Sequence, residues 1–381
     1  MKVMYFVQSL ASCGGVERIL TDKANYLSLK DGYEVFIVSC SQSSGKDNAF
    51  PLSEKVRQIC LSIPYHLPYK YRYPWRLWVK WRVSRRLARS FAAVVKEQDP
   101  DVLVGMSHFS ADMVCSVDCR AKKVIESHEA RPFTLSGLAE HRNFVSSAYM
   151  RIYRQLYFRR IERKADVVVV QTQGDAEEWR RARRVEVIPN FTSSPVRQKA
   201  DMSAKRIIAV GRMSWEKGYD RLIEAWSLVE PSRPAWELVI FGQGDLEGSV
   251  RDAIGRHGLK NVKIFPFSRN IDEKYAQSSI CVLTSHYEGF GLVLVEAFSH
   301  GVPCVAFDCP YGPAGIIEDG RNGYLVENGN VRSFAEALGR LMDDEDLRSR
   351  FSSAAQERAL AFGAETIMGK WMDLFSSLSA T

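Results

Sequence analysis

The chain has 381 residues, of which 46% are hydrophobic and 25% charged, with a formal net charge of +7. This is ordinary globular composition, and it excludes a disordered, collagenous or repeat-built chain. A single core stops growing at about 250–300 residues, so two domains are expected. The basic excess sits in residues 1–200 and the remainder is mildly acidic, so the two halves face different partners.

The eight cysteines fall mostly inside apolar runs and none forms a Cys-x-x-Cys pair, which predicts buried thiols in a reducing cytosol. Cys115 and Cys119 have no matching second pair, so no metal site is expected. The opening Met1-Lys-Val-Met-Tyr-Phe-Val-Gln-Ser-Leu10 is too short and too polar-interrupted for a signal peptide and reads as a first strand. No run approaches the ~20 apolar residues of a membrane span, so any contact with a bilayer would be peripheral.

In chain order, short β-branched runs at 3–9, 34–39, 102–106, 123–127 and 166–171 predict strands, with helix-compatible segments between several of them. After the first strand comes Ala11-Ser-Cys-Gly14-Gly15-Val-Glu-Arg18, a glycine turn that lets backbone approach something closely. Residues 75–96 hold no acid and read as one helix. At ~100° per residue Arg82, Arg85, Arg86, Arg89 and Lys96 share one face, with Leu77, Leu87, Phe91, Val94 and Val95 opposite; Lys80 falls on the apolar side. Tyr69, Tyr71, Tyr73, Trp75, Trp78 and Trp81 gather at its start. Aromatics mixed with cations suit an anionic membrane surface or a lipid diphosphate. The alternative is the solvated face of a sheet-covering helix. No nucleic-acid-binding motif accompanies the charge. A second basic run spans 151–164.

Pro, Asn and Ser cluster in Ile188-Pro-Asn-Phe-Thr-Ser-Ser-Pro195, which predicts the domain boundary. Beyond it, strands at 206–210, 236–241, 262–265, 280–284 and 303–307 alternate with helices at about 218–229, 246–257, 292–300 and 332–342, and a last amphipathic helix follows about 361. The expected fold is α/β, with two doubly wound Rossmann-like domains facing a cleft, 1–190 and 191–360, and the last helix at 361–381. Ligands of such sheets bind beyond the carboxyl ends of the strands.

Two further strand ends carry chemistry. In Val210-Gly-Arg212-Met-Ser-Trp-Glu-Lys217-Gly218, Arg212 and Lys217 bring two cations that could neutralise a diphosphate. In His286-Tyr-Glu-Gly-Phe-Gly-Leu-Val-Leu-Val-Glu-Ala-Phe-Ser-His-Gly301, Glu288 falls on a strand-end loop and Glu296 inside the next helix. The amides of Phe290, Gly291 and Leu292 open that helix and suit a phosphate. The two acids read as acceptors for sugar and ribose hydroxyls.

Gly211-Arg212 with Lys217-Gly218, the Glu288-x7-Glu296 segment and Gly301-Val-Pro-Cys-Val-Ala306 resemble the family-4 retaining glycosyltransferases of the GT-B fold, over essentially the whole chain, which implies that the helix at 361–381 returns to the N-terminal domain. Phe307-Asp-Cys-Pro-Tyr-Gly-Pro313 and Leu325-Val-Glu-Asn-Gly-Asn330 further resemble bacterial members that build capsule, O-antigen or lipid-linked oligosaccharides from UDP-sugars. The resemblance implies that Arg212 and Lys217 hold the donor diphosphate and that Glu296 binds the ribose. It implies that Glu288, Gly289 and the amides of Phe290, Gly291 and Leu292 hold the hexose and phosphate, that Gly15 approaches the phosphates from the other domain, and that the backbone of Phe265 and Phe267 faces the base. His128, in Glu126-Ser-His-Glu-Ala-Arg-Pro132, matches the family histidine near the donor sugar and joins Glu288, Arg212 and Lys217 as a catalytic candidate.

The implied reaction moves a hexose or N-acetylhexosamine from a UDP-sugar to a lipid-linked glycan, on the inner face of the plasma membrane. Retention in the family is explained by front-face attack, with the leaving phosphate taking the acceptor's proton. Fixed cations would stabilise the charge growing on that phosphate, so neither a metal nor a cofactor is demanded. Family members often carry Glu in a Pro-x-Glu-Ile-Ile element where this chain reads Pro313-Ala-Gly315-Ile-Ile317. His108, Ser127, Glu129 and Arg131 are either acceptor-side or structural. The competing readings are a GT-B-fold nucleotide-sugar epimerase and a non-catalytic assembly subunit.

Overall fold

The computed structural model describes the chain apart from residues 13, 42–47, 73, 135–143, 193–198, 269 and 380–381, and apart from the side chains at 69 and 144–149. It divides into two units, Met1–Ile188 with Met368–Thr381, and Pro189–Ile367. Part of the expected boundary stretch (193–195), Cys13 of the glycine turn, Tyr73 and the Tyr69 side chain lie outside the described residues.

The first unit is built on β1 (Lys2–Val7), β2 (Glu34–Ser39), β3 (Arg57–Cys60), β4 (Val102–Gly105), β5 (Lys122–Glu126), β6 (Val167–Val170) and β7 (Val185–Val187). Among the described residues these form one parallel sheet in the order β3-β2-β1-β4-β5-β6-β7. The inner strands are near-continuous buried apolar runs, as expected of a sheet covered on both faces. Helices α1 (Gly15–Ser28), α2 (Trp75–Gln98), α3 (His108–Ser116), α4 (Phe144–Lys164) and α5 (Gln173–Glu178) cover it.

The acid-free segment does form one helix, α2, but its apolar side is shorter than the sequence suggests. From Val83 onward it packs on the sheet through Leu87, Phe91 and Val95, with the Phe91 ring 4.3 Å from that of Phe6. Leu77, expected on the apolar face, is instead 57% exposed, because the first turns do not join that core. Of the described cysteines, none in a disulfide, Cys60 is exposed on the edge strand β3, whereas Cys40, Cys115, Cys281, Cys304 and Cys309 are buried.

The second unit holds β8 (Arg206–Val210), β9 (Glu237–Phe241), β10 (Val262–Phe265), β11 (Ile280–Leu283), β12 (Cys304–Asp308) and β13 (Gly323–Glu327), a parallel sheet in the order β10-β9-β8-β11-β12-β13. Successive residues point to opposite faces of a strand. Ile207, Leu238 and Ile240 accordingly pack with α6 (Tyr219–Val229), α7 (Glu247–Arg256) and α10 (Val331–Asp343), whereas Ile208, Val239 and Phe241 pack with α8 (Ile271–Ala276), α9 (Leu292–Ser299) and the end of α11 (Glu345–Ala359). The last helix, α12 (Ala364–Ser379), belongs to the first unit from Met368 on. None of the described helices is long and apolar enough to cross a membrane.

Candidate functional site

In the second unit the strand order reverses between β8 and β11, since β8 leads to β9 and β10 on one side and β11 to β12 and β13 on the other. Such switch points are where loops diverge and leave a crevice. The loop after β8 and the loop after β11 meet there. Gly218 has φ +60°, and a Cβ on it would run into the Thr284 carbonyl oxygen, so only glycine permits this approach. The Thr284 hydroxyl donates to the Lys217 carbonyl at 3.3 Å, and the His286 amide donates to the Glu216 carbonyl at 2.8 Å. The Trp215 indole stacks on the His286 imidazole at 4.2 Å between centroids.

This junction brings Lys217 and Glu288 together. The Lys217 ammonium donates to both carboxylate oxygens of Glu288, at 2.8 and 3.0 Å. The hydroxyl of Ser285, fully buried, donates to the first of these oxygens at 2.6 Å. A charge-assisted fork and a hydroxyl thus fix the carboxylate. Glu288 is 7% exposed, while the Lys217 side chain is half-buried. Arg212 is exposed on the same loop.

Gly291 caps α9 with φ +92°, a left-handed conformation that lets the chain turn sharply from the Glu288 loop into the helix. The first-turn amides of α9 therefore follow directly on Gly289 and Phe290. The Phe290 ring points into the core, edge-on to Phe362 at 5.7 Å, so Phe290 has only its backbone to offer a ligand. Glu296 is buried one turn further on, and the Tyr275 hydroxyl donates to its Oε2 at 3.0 Å. Burial, and then the charge of Glu296, push the Tyr275 phenol well above its usual range, so it remains a donor. At the end of β10, Phe265 and Phe267 are 43% and 44% exposed, and Phe265 stacks on Phe241.

In the first unit Gly15 opens α1, just after β1. His128 follows β5, with Nδ1 2.7 Å from the Gln171 amide nitrogen and Nε2 3.2 Å from Glu126. An amide donating to Nδ1 leaves the proton on Nε2, facing Glu126. The Glu126 carboxylate is buried against the Lys23 ammonium, which lies 3.8 Å from the Trp371 ring. Burial alone would raise the Glu126 pKa, but Lys23 and His128 together bring it down to about 2. Burial lowers that of Lys23, against the pull of Glu126.

Arg131 is held between the Phe158 and Trp179 rings, at 4.6 and 4.8 Å, and pairs with Glu162 at 2.8 Å, which gives it a structural part. Its amide donates to Asp175, whose carboxyl burial raises to about 6. On α2, Arg82, Arg85, Arg86 and Arg89 are all exposed, on the helix face turned from the core. The Arg82 and Arg85 guanidiniums each lie 4.7 Å over the rings of Trp78 and Trp81.

Sequence reasoning therefore named Lys217, Glu288 and Glu296 but missed their partners Ser285 and Tyr275, and it missed the Lys23–Glu126–His128–Gln171 chain. No motif spacing marks any of these. Only a buried polar residue inside an apolar run, as at Lys23 and Glu126, would have signalled them.

Two family models match the chain: Glycosyltransferase Family 4 over residues 13–193 and Glycosyl transferases group 1 over residues 191–358. The chain belongs to the family-4 glycosyltransferases. Its fold is GT-B, as in a mutant of Staphylococcus aureus TarM in complex with Fondaparinux, alpha-GlcNAc-glycerol and UDP, which aligns at a TM-score of 0.76 and 17% identity over 98% of this chain and 99% of that one. A glycosyltransferase of Haemophilus influenzae is 26% identical over 97% of this chain and 98% of its own.

Two relatives align over 56% of this glycosyltransferase. The amylovoran biosynthesis glycosyltransferase AmsD of Erwinia amylovora is 33% identical there and is covered over 62% of its length. An exopolysaccharide phosphotransferase of Streptomyces coelicolor is 36% identical but covered over only 23% of its length.

Proposed function

We propose that this glycosyltransferase moves a hexose or N-acetylhexosamine from a UDP-sugar to a glycan carried on a polyprenyl diphosphate, with retention and without a metal, in the assembly of a surface polysaccharide. The observation that carries the reading is the Lys217–Glu288 pair at the strand-order switch, beside the start of α9 and the buried Glu296. The UDP in the TarM complex and the polysaccharide named for the Erwinia relative point the same way.

In this reading the donor diphosphate lies against the first-turn amides of α9, between Arg212 and Lys217. Glu288, oriented by Ser285, accepts hydrogen bonds from hexose hydroxyls, and Glu296 accepts those of the ribose. As the anomeric bond to phosphate breaks, negative charge grows on the departing oxygen, where two cations and the amides already stand. The leaving phosphate takes the acceptor's proton, so the protein need not supply a base. Gly15 at the start of α1 is assigned to the phosphates, and Phe265 and Phe267 to the base. His128 is assigned to the sugar. It would reach a hydroxyl by exchanging its Glu126 contact, the longer of the two on its ring. The exposed start of α2 docks on an anionic membrane surface, the layer that carries the lipid-linked acceptor.

The test is product analysis with UDP-glucose, UDP-galactose and their N-acetylated counterparts, in the presence of a chelator and a polyprenyl-diphosphate-linked glycan. A single donor should give a product with the donor's own anomeric configuration. An epimerised sugar nucleotide formed without acceptor would establish the epimerase instead. An inverted linkage, or activity abolished by the chelator and restored by a divalent cation, would remove the mechanism proposed.

A further inference from the structure

We infer that Tyr275 positions Glu296 for the ribose diol of the donor nucleotide and so sets the site's preference for ribonucleotides. The inference rests on the reading of Glu296 proposed above. Glu296 is held from two directions. Its carboxylate receives the Tyr275 hydroxyl at 3.0 Å, and its backbone carbonyl lies 3.0 Å from His300 Nδ1, which donates to it. The same imidazole lies against the Tyr275 ring at 5.6 Å between centroids and 28° between planes. Tyr275, on α8, is fully buried, and Glu296 and His300 are nearly so. One imidazole thus locks both the phenol that holds the carboxylate and the helical turn that carries it.

The chemistry of the pair gives it a direction. A carboxylate offers about four acceptor positions, and rotation about its last bond is broad and roughly two-fold. The hydrogen bond from a fixed phenol helps to hold the plane of the group, and with it the directions of its lone pairs. Two vicinal hydroxyls then meet acceptors whose ordering cost was met on folding. A nucleotide lacking those hydroxyls would forgo these bonds to a buried carboxylate, the arrangement that discriminates most sharply between a ligand and its deoxy analogue. Tyr275 is a positioning residue here, acting through Glu296.

The experiment is calorimetric binding of UDP and 2′,3′-dideoxy-UDP to the full-length wild type, Tyr275→Phe, Glu296→Gln and the double variant, with melting curves for each. The wild type should prefer UDP by at least about tenfold. Tyr275→Phe should weaken UDP about three- to tenfold and leave dideoxy-UDP within about twofold of wild type, and on a Glu296→Gln background it should change neither. Equal weakening of both nucleotides by Tyr275→Phe would make Tyr275 a packing residue and overturn the inference. Should that variant melt below the assay temperature, His300→Gln is read in the same way, since it removes the ring behind the phenol and leaves the hydroxyl. A wild type that binds UDP without distinguishing the dideoxy form would remove the ribose role of Glu296 and the inference with it. A wild type that binds no UDP would instead overturn the donor proposed above.

Discussion

Ser285 is the residue whose role is most local and most readily tested. Its buried hydroxyl gives Glu288 a hydrogen bond that Lys217, partly exposed to solvent, cannot replace. Ser285→Ala should lower kcat/KM about tenfold, at the lower end of one lost bond to a charged group, and leave the melting temperature within a few degrees. Steady-state kinetics beside a melting curve separate the two. Asp175 makes the opposite kind of prediction. Its folded-state pKa is raised to about 6 from 3.8, so the folded protein binds the extra proton between those values. Stability from this group is therefore lost as pH rises from about 4 to 6, by roughly 3 kcal/mol at most. Asp175→Asn, which keeps an acceptor for the Arg131 amide, should be more stable than wild type at pH 8 and lose that advantage near pH 4.5, as read from urea midpoints. At this scale the placing of Arg212, Lys217 and Glu288 on strand-end loops, and of Glu296 inside the next helix, was legible because their spacing travels with their glycines. Ser285 and Tyr275 were not, since a serine or tyrosine in an apolar stretch looks the same whether or not a carboxylate lies beside it in space.

Among the elements, α2 joins two jobs in one helix. Its second half is core, whereas Trp75, Trp78 and Trp81 at its start are 49–66% exposed, two of them beneath arginines. Water-exposed indoles paired with guanidiniums suit a headgroup layer, where the ring sits at the interface and the cation meets lipid phosphate. Sedimentation with vesicles containing about one-third anionic lipid should pull down the wild type at low salt and release it at high salt. Trp78→Ser with Trp81→Ser should weaken that binding several-fold, and Arg82→Gln with Arg85→Gln should remove most of its salt dependence. Binding unchanged by all four substitutions would leave this face as a solvated helix surface.

The elements legible in the sequence were those with a strong period or an unbroken apolar run, such as β2, β8 and β10, whose bounds match the expected ranges. Missed were β3, an edge strand with mostly exposed residues, β7, only three residues long, and β13, which opens on a glycine. Short strands of this kind owe their existence to a neighbour already in place. The local pattern therefore carries no signal for them.

For the whole molecule, alternating strands and helices in both halves were enough to predict two parallel doubly wound sheets, because parallel strands need crossovers and crossovers of this length are helical. The order reversal that locates the second unit's site could not be read from the strand runs, since sequence order does not say on which side of β8 the strand β11 will pair. The motifs supplied what the pattern lacked, because glycines that permit two loops to touch and the charged groups those loops present occur together. The central claim is that this junction, through Lys217 and Glu288, holds and activates a sugar nucleotide.

The measurement that tests it most directly is acceptor-dependent UDP release by wild type, Lys217→Ala, Glu288→Gln and the surface control Arg251→Ala. The account predicts a fall of at least about a hundredfold in kcat/KM for each site variant, with the control unchanged and all four folded. Site variants that turn over at the wild-type rate would contradict it.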